Sequence, residues 1–169
     1  IFECAGYEAD DIIGTLSKKA EKEGFTTYMM TPDKDFGQLV SDNIFIYKPA
    51  KSGEPAKILG VKDVCAKFGI ARPEQVIDIL GLWGDASDNI PGIPGIGEKT
   101  AKTLISTYGS IENLYEHIYE LKGKLKEKVE LGKDMAFLSK TLATINVNAD
   151  LGVSFTELKF DFPLGESAR

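Results

Sequence analysis

The sequence predicts an α/β domain that passes into a helical subdomain near Arg72. Three observations predict it. Short apolar runs of strand type alternate with amphipathic helical patterns up to Ala71. Strand signals then vanish until the C-terminal tail. Glycines and prolines punctuate both halves, yet no flexible linker separates them. The expected boundaries are 1–71 for the α/β core, 72–150 for the helical subdomain, and 151–169 for a tail that returns to the core.

The elements follow in order. "IFECAG" reads as a strand end, and "ADDIIGTLSKKAEKEG" as a helix with Ile12, Ile13, Leu16 and Ala20 on its apolar face and Gly24 closing it. "FTTYMMT" is a buried strand, "DKDFGQLVSD" a turn into a short helix, and "IFIYKP" and "AKILG" are further strands across the turn "KSGEP". "VKDVCAKFG" is a helix ended by Gly69. Pro73 opens the next helix, through "PEQVIDILGLWG". A Gly/Pro-rich loop precedes the helix "EKTAKTLISTYG", with Gly109 at its C-terminus, and Ser110 caps "SIENLYEHIYEL". "LKEKVELGKDMAFLSKTLATI" is one long helix or two shorter ones, and "VSFTELKFDF" is strand-like.

Composition narrows the function classes. No apolar run approaches the roughly 18 residues that cross a bilayer. Cys4 and Cys65 form no metal-ligand pattern and suit a reduced, cytosolic protein. The single histidine, His117, lies in a polar helical stretch, so no histidine or cysteine nucleophile suggests covalent catalysis. A net charge of −6 argues by itself against nucleic acid. The position of charge matters more than its sum, and metal ions can cancel part of it.

The acidic residues cluster. Glu8, Asp10 and Asp11 sit at a strand-to-helix junction, Asp33 and Asp35 follow the strand "YMMT", and Asp85 and Asp88 follow a helix. Strand ends are where open α/β sheets bind ligands. Asp33 and Asp35, two apart in extended chain, can aim at one point, and Asp85 and Asp88, three apart on a helical turn, can share a face. Each group also has a structural explanation. Asp10 and Asp11 suit a helix N-terminus, Asp33 an Asx turn after Pro32, and Asp88 a turn cap. Together, seven carboxylates with no nearby His or Cys suit hard cations such as Mg²⁺ or Mn²⁺. Two such ions would add +4 to the −6 and leave about −2.

One residue after Asp88, from Ile90 on, comes "IPGIPGIGEKTAKTLI". A turn with Gly95 and Gly97 around Ile96 can expose backbone N–H groups, and the helix beginning near Glu98 adds its N-terminal dipole. Ile96, Ala101, Leu104 and Ile105 can pack hairpin on helix and leave Lys99 and Lys102 along a phosphate path. This is a helix-hairpin-helix pattern, which grips a DNA backbone without reading sequence. The alternative is a plain inter-helix connection.

Three local matches mislead. "DFG" at Asp35–Gly37 lacks the other kinase motifs. The glycines from Gly92 to Gly97 have P-loop spacing, but Glu98 interrupts before Lys99 and the segment follows a helix. "DKD" suggests an aspartyl-phosphate phosphatase without the expected residues after it; a phosphatase and a non-catalytic DNA-binding module stay open as alternatives.

"GYEADDIIGTL", "TPDKDFGQLV" and "GDASDNIPGIPGIGEKTA" together closely resemble the 5′-nuclease (5′→3′ exonuclease) domains of bacterial DNA polymerase I, members of the flap endonuclease family. The resemblance covers nearly the whole chain. It implies a PIN-like α/β fold with a helix-three-turn-helix subdomain, and removal of 5′ flaps and RNA primers in replication and repair with two divalent ions. It matches Glu8, Asp10, Asp11, Asp33, Asp35, Asp85 and Asp88 to the family's metal carboxylates, with Asp10, Asp11, Asp35, Asp85 and Asp88 as the catalytic set. The expected split puts Glu8, Asp10 and Asp11 around one ion, with Asp33 near it, and Asp35, Asp85 and Asp88 around the other. Gly92, Gly95, Ile96, Gly97, Lys99, Thr100 and Lys102 would hold duplex DNA, with a potassium ion at the hairpin turn. The implied setting is a monomer in the bacterial cytoplasm, at the nucleoid, acting on nicked or branched DNA and RNA–DNA junctions and linked to a polymerase domain. The family also carries an early aspartate on a first strand, a second aspartate further on, and a helical arch. None of these lies within the chain, which therefore resembles the C-terminal portion of the nuclease domain and is expected to be inactive alone.

Overall fold

The computed structural model describes residues 2–51, 53–153 and 158. Its sheet has three strands in the order β1 (Thr27–Met30), β2 (Ile44–Lys48), β3 (Lys57–Leu59); β1 pairs with β2 in parallel, with Met29 opposite Ile46, and β2 with β3 antiparallel. Met29, Ile44 and Ile46 turn one face of the sheet into the core. β1 forms an open edge among the described residues, with Tyr28 and Met30 exposed.

Of the segment "IFECAG", the described residues 2–6 form no strand. Residues 2–7 form a loop with a turn at Ala5–Gly6, and Phe2, Cys4 and Tyr7 pack instead on Ile12, Ala149 and Leu151. α1 (Ala9–Lys22) buries a different face from the one its apolar residues suggest. Ile12 and Ala20 are buried as expected, but Gly14, Thr15 and Ser17 join them and Ile13 is exposed. The reason is a close approach. A Cβ on Gly14 would stand 2.7 Å from Ile145, and Thr15 Oγ1 donates to the Asn146 carbonyl and accepts from the Ala149 N–H. Ile13 and Leu16 line a shallow apolar trough beside β1 instead.

A 3₁₀ turn (Asp35–Leu39) follows β1, and α2 (Val61–Phe68) follows β3, ending at Gly69 in the left-handed region. The helical part comprises α3 (Val76–Trp83), α4 (Glu98–Tyr108), α5 (Ile111–Glu116), α6 (Gly123–Leu131) and α7 (Lys133–Ala143). α3 is the central helix: Val76, Ile79, Leu80 and Leu82 are fully buried. The stretch after Ser110 stops at Glu116 and continues as a 3₁₀ turn, while Ser110 Oγ accepts the Asn113 N–H as a cap should. The long C-terminal pattern resolves into two helices that break at Gly132, where a Cβ would strike Ile93 at 2.5 Å. One apolar core runs from Met29 on the sheet to Ile145, across the Arg72 junction. Among the described residues no helix is long and apolar enough to cross a membrane. The tail beyond Val153, Leu158 apart, lies outside the described residues, and with it the strand expected there.

Candidate metal centre and hairpin

Three chain segments deliver the carboxylates. Glu8 occupies the N-cap of α1, with Asp10 and Asp11 in its first turn. Among the described residues the junction is loop to helix, residues 2–7 forming no strand. The Asp11 carboxylate accepts the backbone N–H of Asn146 at 2.9 Å and of Glu8 at 3.4 Å, so it also ties the helix start to the chain after α7. Asp35 begins the 3₁₀ turn. Glu8, Asp10, Asp11, Asp35 and Asp88 line one cleft of about 350 Å³.

Asp33 and Asp35 do not aim together as an extended chain would. Asp33 Oδ1 accepts the Asp35 N–H at 2.9 Å, an Asx-type turn that sends Asp35 into the cleft while Asp33 lines a separate groove. Asp85 and Asp88 do not share a helical turn either. α3 ends at Trp83, Gly84 takes φ +80°, and Asp85 exchanges both backbone hydrogen bonds with Ile90 at 2.8 Å. The loop between them closes with Asn89 at φ +57°, a region Asn tolerates.

Among the described residues, Asp35, Asp85 and Asp88 each offer a carboxylate oxygen, and these oxygens lie within 4.8 Å of one another. Asp35 Oδ1 is buried with no hydrogen-bond partner. Burial, then the charge of Asp33 and, more weakly, of Asp85 and Asp88, push the Asp35 carboxyl up to about 7, against the opposing pull of Lys34. Burial and then Asp33, Glu8, Asp88 and Asp11 raise Asp10 in the same direction. Burial and Asp85 also raise Asp88. Asp85 goes the other way. Burial opposes its ionisation, but hydrogen bonds from Lys34 and Ser87 outweigh that and hold it low. An orphaned buried oxygen and an all-carboxylate donor set that repels itself are what a hard divalent cation would satisfy. The residues present fit such an ion.

Lys34 is the residue that sequence reasoning passed over. It lies between the two aspartates of "DKD", and its ammonium pairs with Asp85. Its neighbours in sequence were the available signal.

The hairpin follows immediately. Gly92 takes φ +62°, its N–H donates to the buried Ser139 Oγ at 2.9 Å, and a Cβ there would sit 2.4 Å from the Gly84 nitrogen. Gly95 takes φ +79°, and its carbonyl accepts from Lys128 Nζ at 3.1 Å. Gly97 is the N-cap of α4 at φ −96°, with open space where a Cβ would stand. Ile96, Ala101, Leu104 and Ile105 are buried, so the hairpin is packed on α4. Lys99 is exposed and Thr100 half-buried on the first turn of α4. Lys102 points elsewhere: its ammonium pairs with Glu98 at 2.7 Å and donates to the Lys67 carbonyl at 2.7 Å.

Comparison with known proteins places this architecture. Residues 71–164 match the family described as 5′-3′ exonuclease, C-terminal SAM fold, and residues 1–69 match the 5′-3′ exonuclease, N-terminal resolvase-like domain. DNA polymerase I of Bacillus subtilis is 48% identical over 160 residues, covering 94% of this chain and 18% of that protein. The thermostable DNA polymerase I of Thermus thermophilus is 42% identical over 153 residues, 90% of this chain and 18% of that protein. The chain thus spans less than a fifth of these relatives. In structure it is similar to a T5 5′-exonuclease with bound divalent metal ions (zinc), with TM-score 0.74 and 22% identity over 86% of this chain and 52% of that one. It is also similar to a bacteriophage T5 flap endonuclease variant in a pseudo-enzyme-product complex with DNA and metal ions, at TM-score 0.72 and 21% identity, with 86% and 52% covered.

Proposed function

The chain belongs to the 5′-3′ exonuclease family, and from that premise we propose that it is the C-terminal part of a metal-dependent 5′ nuclease that hydrolyses phosphodiesters at 5′ flaps, nicks and RNA–DNA junctions. The observation that carries this reading is the continuity of one segment. Asp85 and Asp88 stand in the carboxylate cluster, and four residues after Asp88 the hairpin at Gly92 begins. A duplex held by the hairpin backbone and by Lys99 would present a phosphate close to the cleft.

Asp35, Asp85 and Asp88 would hold one Mg²⁺ or Mn²⁺, and Glu8 and Asp10, with Asp11 beside them and Asp33 near Asp10, the second. When bound, the ions supply Lewis-acid polarisation of the phosphodiester and neutralise charge on its oxygens. The protein's own part is placement. The Asx turn at Asp33 aims Asp35, the Asp85–Ile90 pairing aims Asp85 and Asp88, and the buried Ser139 hydroxyl anchors the hairpin to α7 at a fixed distance from them. A potassium ion at the hairpin turn would share the Gly95 carbonyl with Lys128. In the proposed setting the protein is a monomer in the bacterial cytoplasm, linked to a polymerase domain and acting on replication and repair intermediates.

Among the described residues β1 is an open edge, with Tyr28 and Met30 exposed beside the apolar trough of Ile13 and Leu16, which supports further strands of the nuclease core packing there. The chain alone is therefore expected to cut little. Flap cleavage by this chain at the rate of a complete nuclease domain would overturn that expectation. For the function itself the test is a flapped duplex with Mg²⁺ and the complete nuclease domain. Asp35→Ala and Asp85→Ala should each lower cleavage by 10² or more, in the range typical of a lost transition-state stabiliser, and leave duplex binding largely intact. Normal cutting by either variant overturns the carboxylate assignment. Binding without cutting by the unaltered domain would leave a non-catalytic DNA-binding module, and turnover of a small phosphomonoester a phosphatase.

A further inference from the structure

The loop Asp33–Gly37 faces two ways. Asp35 lines the acidic cleft, while Lys34 and Asp33 line a second groove of about 450 Å³ between the sheet and α2. Lys48, at the end of β2, and Lys67, near the end of α2, line the same groove. Three lysines from three separate segments thus line one groove of a chain whose net charge is −6.

The acids that line the groove are held by backbone donors and form no ion pair with Lys48 or Lys67. Asp63 also lines the groove, but its carboxylate accepts the Gly60 N–H at 2.9 Å, and that of Asp33 accepts the Asp35 N–H. Lys34 is paired with Asp85. Among the described residues neither Lys48 nor Lys67 has a carboxylate within ion-pair distance. Burial, and then the charges of Lys48, Lys34 and Lys102, push the Lys67 ammonium below its usual range. Like charges held together this way are relieved by an anion.

The groove also connects the two parts of the site. Its inner end is Lys34, beside the acidic cleft. Its outer end is Lys67, whose carbonyl accepts Lys102 Nζ from α4, the helix of the hairpin. Lys67 and Lys102 stand over the same Phe68 ring, at 5.1 and 5.5 Å from its centre. We propose that Lys48 and Lys67, with Lys34 at the inner end, form a phosphate-binding site that holds the backbone of a nucleic-acid strand between the acidic cleft and the hairpin helix. The proposal rests on the nuclease reading, because that reading supplies the strand.

The test is equilibrium binding of a fluorescent flapped duplex across a range of salt, with Ca²⁺ in place of Mg²⁺ to suppress cleavage. The paired change Lys48→Ala and Lys67→Ala should weaken binding and reduce the slope of log K against log[salt] by about 1.8, at about 0.9 per phosphate contact. Lys48→Arg with Lys67→Arg should restore both, and the melting temperature should stay unchanged. If the unaltered protein binds and the alanine pair shows the same affinity and slope, the groove proposal falls and the nuclease reading stands. If the unaltered protein does not bind the duplex, both fall. A titration with inorganic phosphate, without metal, separates a strand site from a small-anion site. Phosphate binding that the alanine pair abolishes, alongside an unchanged duplex slope, would overturn the assignment to a strand.

Discussion

Lys34 reaches across 51 residues of sequence to place its ammonium on Asp85, at the edge of the carboxylate cluster and 5.3 Å from the centre of the Trp83 ring. Burial alone would lower its pKa, but the Asp85 hydrogen bond and charge, with Asp35 and Asp33 behind them, raise it, so the ammonium stays charged. A cation built into the chain is therefore paired with a carboxylate that an incoming metal ion would use.

The first prediction follows from that competition. Lys34→Met should bind Mg²⁺ more tightly than the unaltered protein, because one positive charge no longer opposes the ion. Lys34 is partly exposed, so solvent screens the effect, and an increase of about tenfold in affinity, near 1.4 kcal/mol, is the expected scale. Lys34→Arg should bind as the parent does. Calorimetric titration decides it, and weaker binding by Lys34→Met would mean that the lysine organises Asp85 more than it competes for it.

Asp35 gives a pH prediction. Its carboxyl is raised from 3.8 to about 7 by burial and then by the neighbouring carboxylates. Between those values the folded protein holds a proton that the unfolded chain has lost, so the contribution to stability is complete below 3.8 and is lost as pH rises through about 7. Without divalent ions the melting temperature should therefore fall across that window. Asp35→Asn should flatten the fall, and added Mg²⁺ should oppose it at the upper end. An unchanged pH profile in Asp35→Asn would remove Asp35 as its source.

The three hairpin glycines should respond differently. Gly92→Ala forces a side chain into positive φ and against the Gly84 backbone at 2.4 Å, and should destabilise by about 3 kcal/mol or more. Gly95→Ala meets positive φ too, but its nearest neighbour is the end of the flexible Lys128 side chain, so the cost should be smaller. Gly97→Ala should leave stability nearly unchanged, since its φ is −96° and no atom lies within 4 Å. If duplex DNA approaches there, that same variant should lose affinity while keeping its melting temperature. Thermal melts paired with duplex titrations test both halves.

Lys99 and Lys102 should also separate. Lys99→Ala should reduce the salt slope of duplex binding by about one. Lys102→Ala should change it less, because that ammonium already pairs with Glu98 and the Lys67 carbonyl. Equal slopes for both variants would show that Lys102 leaves those partners when DNA arrives.

The parts of the fold that were legible in the sequence are those set by neighbours in sequence. Ser110 caps through its own Asn113 N–H, Gly69 ends α2 because its φ is +70°, and the apolar spacing of α3 and α4 suffices to bury them. The rest depended on contacts made across the chain. Ile13 looked like a core residue because its spacing is right, but the helix rotates to let Gly14 approach Ile145. Asp85 and Asp88 looked like one helical face, yet the backbone pairing of Asp85 with Ile90 brings them together instead. That Asp35, Asp85 and Asp88 would stand close together was expected from their clustering, but the departure of Asp33 into a separate groove was not. That Lys34 and Lys128 would reach into those places was not expected either, because a long flexible side chain carries no periodic signal.

A last pair, unsuspected in the sequence, bears on stability. Lys140 on α7 donates to Asp78 Oδ1 on α3 at 2.6 Å and to Glu112 at 2.9 Å, and the Ile111 N–H also bonds Asp78 at 3.0 Å. Asp78 is 5% exposed, and burial raises its carboxyl in spite of these bonds, while the same bonds hold Lys140 charged against burial. The pair thus joins the central helix to α7 and to the start of α5. Lys140→Met would leave a buried carboxylate without its cation and should cost about 3–5 kcal/mol. Asp78→Asn in the same chain should recover part of that loss, since a neutral amide keeps an acceptor for the Ile111 N–H and needs no counter-ion. Chemical denaturation of the single and double variants measures the coupling. Additive losses would show that the ion pair contributes nothing beyond the separate packing of its two side chains.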